Sequence, residues 1–346
     1  MRRRLAILAV GLPTVFAFGP RGEGTEPLQR FEFSRARMGT EFRIVLYATD
    51  SLEASVAAAS AFARIADLEQ RLSDYRPDSE LSRLGTTAGM DQAVRVSDDL
   101  WTVLVESQRW AHRSGGAFDI TIGPLTRLWR WARRRGQLPL PDRLAAARES
   151  VGYAHVRLDS LAQSVTLERP GMQLDLGGIA KGYAADAALT VLRERGVPRA
   201  LIDAGGDVVA GDPPPGQPGE PGWRVEISGL DAAGRPTREV RFLTRAAIAT
   251  SGPSYQFLEA DGVRYSHIVD PRTGLGLTHQ LEVTVFAPSG MQADALASAV
   301  SVLGPDAGLE LAEKTPGVEA RVLVPGGDNF VLRETSPSRD FSPSLP

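Results

Sequence analysis

Residues 175–182 read Asp-Leu-Gly-Gly-Ile-Ala-Lys-Gly, between a strand-like segment, 165–176, and a helical run, 179–195. A strand that ends in paired glycines beside a helix N-terminus predicts an anion seat. The glycines let backbone N–H groups come close to a ligand, and the helix end adds partial positive charge. Lys181 supplies a mobile cation and Asp175 a carboxylate at the strand end. The stretch has neither the Gly-x-x-x-x-Gly-Lys-Ser/Thr spacing of a Walker A loop nor a Gly-x-Gly-x-x-Gly fingerprint. Packing alone also produces Gly-Gly turns, so its meaning depends on the rest of the chain.

Of the 346 residues, 42% are hydrophobic and 23% charged, enough apolar material for one large or two intimately packed domains. A net charge of -3 gives no global electrostatic reason to bind nucleic acid. The absence of cysteine excludes disulfides, thiolate metal sites, cysteine nucleophiles and a lipidated cysteine anchor. Arg2, Arg3 and Arg4 precede an apolar run over 5–18, which predicts a secretory leader too short for a comfortable membrane span. Ala17-Phe18-Gly19 fits a small-x-small cleavage site. Pro20 would be a poor first residue, so residues 1–27 are expected to be a signal peptide or an uncleaved N-terminal membrane anchor and linker. The protein is accordingly expected outside the cytoplasm, periplasmic or membrane-associated.

Residues 42–48 are β-rich, and 51–72 carry apolar residues at Leu52, Val56, Ala59, Ile65, Leu68 and Leu72, close to one helical stripe. Ser97 reads as an N-cap, with Leu100, Val103, Leu104 and Trp110 on one face, and Gly115-Gly116 ends that helix. Strands are predicted at 165–167, 173–176, 200–202, 223–227, 239–243, 281–286 and 318–324, and a helix at 291–303. Residues 211–222, rich in Pro and Gly, are a loop or hinge, and 335–346 a disordered tail. This order of elements favours α+β over strict βαβ alternation, with residues 28–334 as one domain.

Asp294 and Ser298 lie four apart on a predicted helix and so share a face. A carboxylate and a hydroxyl are hard oxygen ligands that suit Mg2+ completed by water and substrate phosphate; a first-turn charge and a helix filler would look the same. His267 follows a short β-like run and precedes the turn Asp270-Pro271-Arg272-Thr273-Gly274. An imidazole with a pKa near ~6.5 is a ready general base, though a lone histidine more often makes one structural hydrogen bond. His112, His155, His267 and His279 form no zinc-protease motif, and no Gly-x-Ser-x-Gly elbow exists. Trp129, Arg130, Trp131 and Arg133 to Arg135 read as a solvated helix face or a docking surface.

Together these stretches resemble the ApbE family of FAD:protein FMN transferases from about residue 31 to residue 333. The resemblance is carried by Met38-Gly39-Thr40, 72–84, 116–124 (Gly-Ala-Phe-Asp-Ile-Thr-Ile-Gly-Pro), 175–183, 204–207 (Ala-Gly-Gly-Asp), Thr250-Ser251-Gly252, 267–274 and 294–298. It implies a T-fold-related α+β domain of two intimately packed mixed α/β halves, with the FAD site in the crevice between them. The implied activity splits the diphosphate of FAD with Mg2+, moves FMN onto a Thr or Ser hydroxyl of an acceptor flavoprotein, and releases AMP. Acceptors would be electron-transport subunits or reductases with a short Thr-containing motif.

By the same resemblance Met38 and Tyr75 contact the flavin nucleotide, and Ala117, Phe118 and Asp119 line its pocket. Asp175, Lys181 and the backbone at Ile268 hold FAD. The Gly178 carbonyl, Asp294 and Ser298 hold Mg2+, and His267 activates the acceptor hydroxyl. Three positions depart from the family pattern: Ser298 replaces Thr, Gly85 replaces Asn, and Asp203 replaces Asn. Hydrolysis of FAD to FMN and AMP, or FAD binding without turnover, are the alternative readings.

Overall fold

The computed structural model describes residues 27–216, 221–231, 233–252, 257–327 and 329–336. The expected leader and nearly all of the expected tail lie outside the described residues. In chain order the strands are β1 (Gln29–Arg37), β2 (Thr40–Ala48), β3 (Val94–Arg95), β4 (Val156–Asp159), β5 (Ser164–Leu167), β6 (Ala200–Ala204), β7 (Val208–Ala210) and β8 (Trp223–Leu230). They continue with β9 (Pro236–Leu243), β10 (Ala246–Ser251), β11 (Phe257–Ala260), β12 (Val263–Ser266), β13 (Glu282–Ala287), β14 (Glu319–Gly326) and β15 (Asn329–Glu334). The helices are α1 (Ser51–Leu72), α2 (Glu80–Gly85), α3 (Asp98–Arg113), α4 (Gly123–Arg135), α5 (Pro141–Glu149), α6 (Ala180–Glu194) and α7 (Gly290–Glu313).

Eight strands form one antiparallel sheet in the order β1-β2-β6-β7-β10-β13-β14-β15. β1 and β2 are joined by Met38 and Gly39, both at positive φ (49° and 76°), the two-residue turn whose twist matches the strands. Helices α1, α6 and α7 pack together on one face and enclose the main core. The β8–β9 hairpin covers the other face, where Trp223, Ile227 and Leu243 meet Val45, Leu201, Val208, Ile248 and Phe286. The α+β single domain expected from the sequence is what forms.

Helix α1 matches its predicted span, but its buried stripe is not the predicted one. Leu52 and Val56 are exposed, and Ala59 with them, while Ala54, Ala57, Ala58, Ala61, Phe62, Ile65, Leu68 and Leu72 are buried. The reason is α6, which brings Ala184, Ala185 and Ala188 to the contact. Small residues on both helices allow close approach, so alanine rather than leucine marks the inner face. Asp50 caps α1 by accepting from the N–H groups of Leu52 and Glu53 at 2.8 and 2.9 Å.

Ser97 caps α3 as expected, accepting from Leu100 N–H at 3.4 Å, and Gly115 and Gly116 at positive φ end it. The helix predicted at 291–303 is the first part of α7, which breaks at Gly304 (φ 78°) before Pro305. By length and apolarity α7 would cross a membrane, yet it is largely buried and packs on β10, β13 and β14 as a core helix. A smaller core of Leu125, Trp129, Ala132, Leu258 and Val269 joins α4 to the β11–β12 hairpin.

The strand expected at 173–176 does not form. β5 ends at Leu167, and Gln173 makes only an isolated bridge with Ile122. Asp175 N–H donates to Ile120 C=O at 2.7 Å and Gly123 N–H to Gln173 C=O at 3.1 Å. This short parallel alignment lays segment 117–123 beside segment 173–175.

Candidate active site

Helices α6 and α7 meet at their N-termini, and that crossing builds the site. No Cβ would fit on Gly182, because the Gly290 backbone lies against it. Asp186 of α6 accepts from the N–H groups of Gly290 and Met291 at 2.7 and 2.9 Å, tying the start of α7 to α6. One turn further along α7, the Asp294 carboxylate reaches back to α6. It accepts from Gly182 N–H at 3.2 Å and lies 3.4 Å from Lys181 Nζ. The anion at the N-terminus of α6 is therefore a carboxylate of the chain itself.

Lys181 also pairs with Asp207, at the end of the β6–β7 turn, whose other carboxylate oxygen accepts from Thr250 N–H at 3.3 Å. Asp207 and Asp294 are both buried. Burial opposes the charge on Lys181, but the carboxylates of Asp294 and Asp207 outweigh it and hold its pKa above the ordinary lysine value. Burial, with repulsion from Asp207 and opposed by Lys181, raises Asp294 above the usual carboxylate range. Ala-Gly-Gly-Asp carries the family resemblance, but the sequence alone assigns Asp207 no role. The available signal was charge balance, since a lysine beside one buried aspartate leaves room for a second.

Gly177 and Gly178 do not take positive φ; Gly178 is required for space. A Cβ there would lie 2.7 Å from Ser298 Oγ and 3.4 Å from Phe118 Cε2. Gly178 thus packs against both Ser298 and Phe118. Ser298 Oγ makes no hydrogen bond among the described residues. One buried carboxylate, one unengaged hydroxyl and a backbone segment packed against that hydroxyl form a hard-oxygen donor set that fits Mg2+. Among the described residues no group of three His, Asp or Glu side chains could hold a metal, so the ion would depend on the Gly178 carbonyl, water and substrate for its remaining ligands.

Ala117, Phe118 and Asp119 are buried, Phe118 N–H donating to Ser114 Oγ at 3.0 Å. The Asp119 carboxylate is occupied within the fold, accepting from Thr121 N–H, Thr121 Oγ1 and Tyr153 N–H at 2.7–2.9 Å. Asp175 accepts from Gly177 N–H at 2.9 Å, Thr126 Oγ1 at 2.7 Å and Arg130 Nη2 at 2.8 Å. Arg130 also bonds Asp74 at 2.5 Å and lies 4.2 Å from the Tyr75 ring centroid. It is a half-buried organiser rather than part of a solvated face, and it links Tyr75 to Asp175. Tyr75 itself is 73% exposed.

Met38 sits in the β1–β2 turn, its N–H donating to Glu69 Oε1 at 2.7 Å. The neighbouring Thr40 side chain presses on Gly205, two residues before Asp207. Asp203 adds no free charge to this corner, since it pairs with Arg43 at 3.2 Å and accepts from Gly206 N–H at 2.8 Å. His267 is exposed directly after β12, and Ile268 has its N–H on Ser266 Oγ at 3.1 Å and its C=O accepting from Leu277 N–H at 2.8 Å. Trp129 Nε1 donates to Gly274 C=O at 2.8 Å, and Val269 shares the core under α4. The His267 segment is thereby anchored to the helix that holds Asp175.

The chain is similar in sequence and fold to flavin transferases. An FAD:protein FMN transferase of Treponema pallidum is 34% identical over 308 residues, 85% of each chain. One from Haemophilus influenzae is 32% identical, covering 78% of this chain and 79% of its own. The solved structure of the flavin transferase ApbE from Vibrio cholerae superposes with a TM-score of 0.80 at 29% identity, covering 91% of this chain and all of that one. The apo Pseudomonas stutzeri flavinyl transferase ApbE gives 0.78 at 30% identity, covering 89% and 95%. The ApbE family profile matches residues 38–322, which include every candidate site residue named above, and the chain belongs to the ApbE family.

Proposed function

We propose that this chain transfers the FMN part of FAD to a threonine or serine hydroxyl of an acceptor flavoprotein and releases AMP. The observation that carries the reading is Lys181, ion-paired to the buried Asp207 and Asp294 beside the Gly178–Ser298 contact. The relatives' shared name, FAD:protein FMN transferase, supports the same chemistry. Bound Mg2+, held by Asp294, Ser298 and the Gly178 carbonyl, would neutralise charge on the diphosphate. Lys181 places a fixed cation at the diphosphate, and Asp207 and Asp294 keep it charged and oriented. His267, exposed to an incoming protein, takes the proton of the acceptor hydroxyl. The hydroxyl oxygen bonds to the FMN phosphorus, the phosphorus–oxygen bond to the AMP phosphate breaks, and AMP leaves with that oxygen.

Met38, Tyr75, Ala117, Phe118, Asp119, Asp175 and the backbone at Ile268 complete FAD binding in this reading. The basic and apolar N-terminus supports export, with the enzyme acting on the extracytoplasmic side, free or anchored. Acceptors are then electron-transport subunits or reductases with a short Thr-containing motif. The experiment is incubation with FAD, Mg2+ and an acceptor domain, reading acceptor mass and free AMP. An acceptor heavier by one FMN phosphoester, with one AMP per adduct, is expected. AMP without adduct would make the protein an FAD hydrolase, and neither product a binding protein.

A further inference from the structure

Positions three and four apart share a helix face, which sorts α4 into three stripes. Leu125, Trp129 and Ala132 are buried in the smaller core. Thr126 and Arg130 face the site, where both bond Asp175. Arg127, Trp131 and Arg134, with Arg135 at the end, are exposed, and the Arg135 guanidinium stacks 4.7 Å from the Trp131 ring centroid. The helix carries five arginines and no acid. Among the described residues its only ion-paired carboxylates are Asp74 and Asp175, both through Arg130. In a chain of net charge -3, positive potential is concentrated on one helix whose adjacent stripe borders the site.

We propose that Arg127, Trp131, Arg134 and Arg135 form the docking surface for the acceptor protein and recognise an acidic segment flanking the modified hydroxyl. This rests on the transferase reading, in which the second substrate is a protein that must reach past the site. Arginine forks match carboxylates in pairs, and an exposed tryptophan among them supplies an apolar anchor. An anionic membrane would also attract these arginines. The acceptor is favoured because the same helix supplies Arg130 and Thr126 to the FAD-side carboxylate Asp175, so its outer stripe borders the path any acceptor takes.

The test measures binding of a soluble acceptor domain, bearing a threonine flavinylation motif, to wild type and to Arg127→Glu/Arg134→Glu/Arg135→Glu at low and moderate salt. Binding needs no turnover, so a wild type that binds but transfers nothing counts against the transferase reading alone. The triple variant is expected to bind the acceptor about tenfold more weakly and to lose most of its salt dependence, with FAD affinity and melting temperature unchanged. If it misfolds, Arg134→Gln and Trp131→Ala take its place; the former weakens salt-dependent binding and the latter weakens binding at every salt concentration. Unchanged acceptor affinity overturns the proposal. Lost binding to phosphatidylglycerol vesicles with acceptor affinity intact also overturns it, by making the surface a membrane contact.

Discussion

A Cβ on Gly178 would lie 2.7 Å from Ser298 Oγ, so the turn that leads into α6 and the first turns of α7 are fitted to each other at the proposed metal position. Gly178→Ala introduces that clash without backbone strain, since Gly178 is not at positive φ. The variant should lose about 1–3 kcal/mol of stability and at least about tenfold in turnover. Adding Ser298→Ala should recover stability but not turnover, because the hydroxyl is gone. Thermal melts with AMP-release assays check both, and full activity in Gly178→Ala would remove this contact from the site.

Asp207 is the residue whose importance the structure adds. Asp207→Ala leaves the Lys181 ammonium with Asp294 as its remaining partner among the described residues and removes the acceptor of Thr250 N–H. A loss of about 1–3 kcal/mol is expected, less than for a fully orphaned buried charge because Asp294 remains. FAD affinity, read by flavin fluorescence, should fall as Lys181 loses its orientation. Unchanged affinity and stability would make Asp207 a bystander.

Asp186 should give the fold a pH signature. Burial pushes its carboxyl up to about 6 from an ordinary 3.8, against the N–H groups of Met291 and Gly290. A carboxyl whose folded pKa is raised binds its proton more tightly in the folded state. Its contribution to stability is therefore full below about 3.8 and is lost as pH rises through about 6. Because an amide does not ionise, the stability difference between Asp186→Asn and wild type should move in the variant's favour by up to about 3 kcal/mol as pH rises from 4 to 7. Paired melts across that range check it, and a constant difference would contradict it.

Gly85 ends α2 with nothing within 4 Å of where its Cβ would stand. Gly85→Asn, the side chain that the family resemblance leads one to expect here, should therefore fold with stability changed by less than about 0.5 kcal/mol. The regained amide is expected to raise the ratio of FMN transfer to FAD hydrolysis. Measuring adduct and AMP together checks this, and an unchanged ratio would show that the amide has no part in that balance.

Much of this was legible in sequence, for reasons that can be named. α3 was legible through its Ser97 cap and apolar face, α1 in its span but not in its buried face, and α7 in its first part, 291–303. β10 (Ala-Ala-Ile-Ala-Thr-Ser) was missed because alanine has low strand propensity and only its place between β7 and β13 makes it a strand. The inner face of α1 was misjudged because small-on-small packing leaves no large apolar residue to reveal it. Lys181 and Asp294 were found as separate candidates, but the Gly182–Gly290 crossing that joins them lies between distant segments and leaves no local pattern. Arg130 was read as surface because its partners, Asp74 and Asp175, lie far away in sequence.

The central claim is that Asp294 holds the metal on which FAD cleavage depends. Calorimetric titration of Mg2+ into FAD-loaded wild type and Asp294→Ala, with AMP release followed at each Mg2+ concentration, tests it most directly. The expected result is saturable Mg2+ binding and turnover in wild type, and neither in the variant. Undiminished AMP release by Asp294→Ala at low Mg2+ would contradict it.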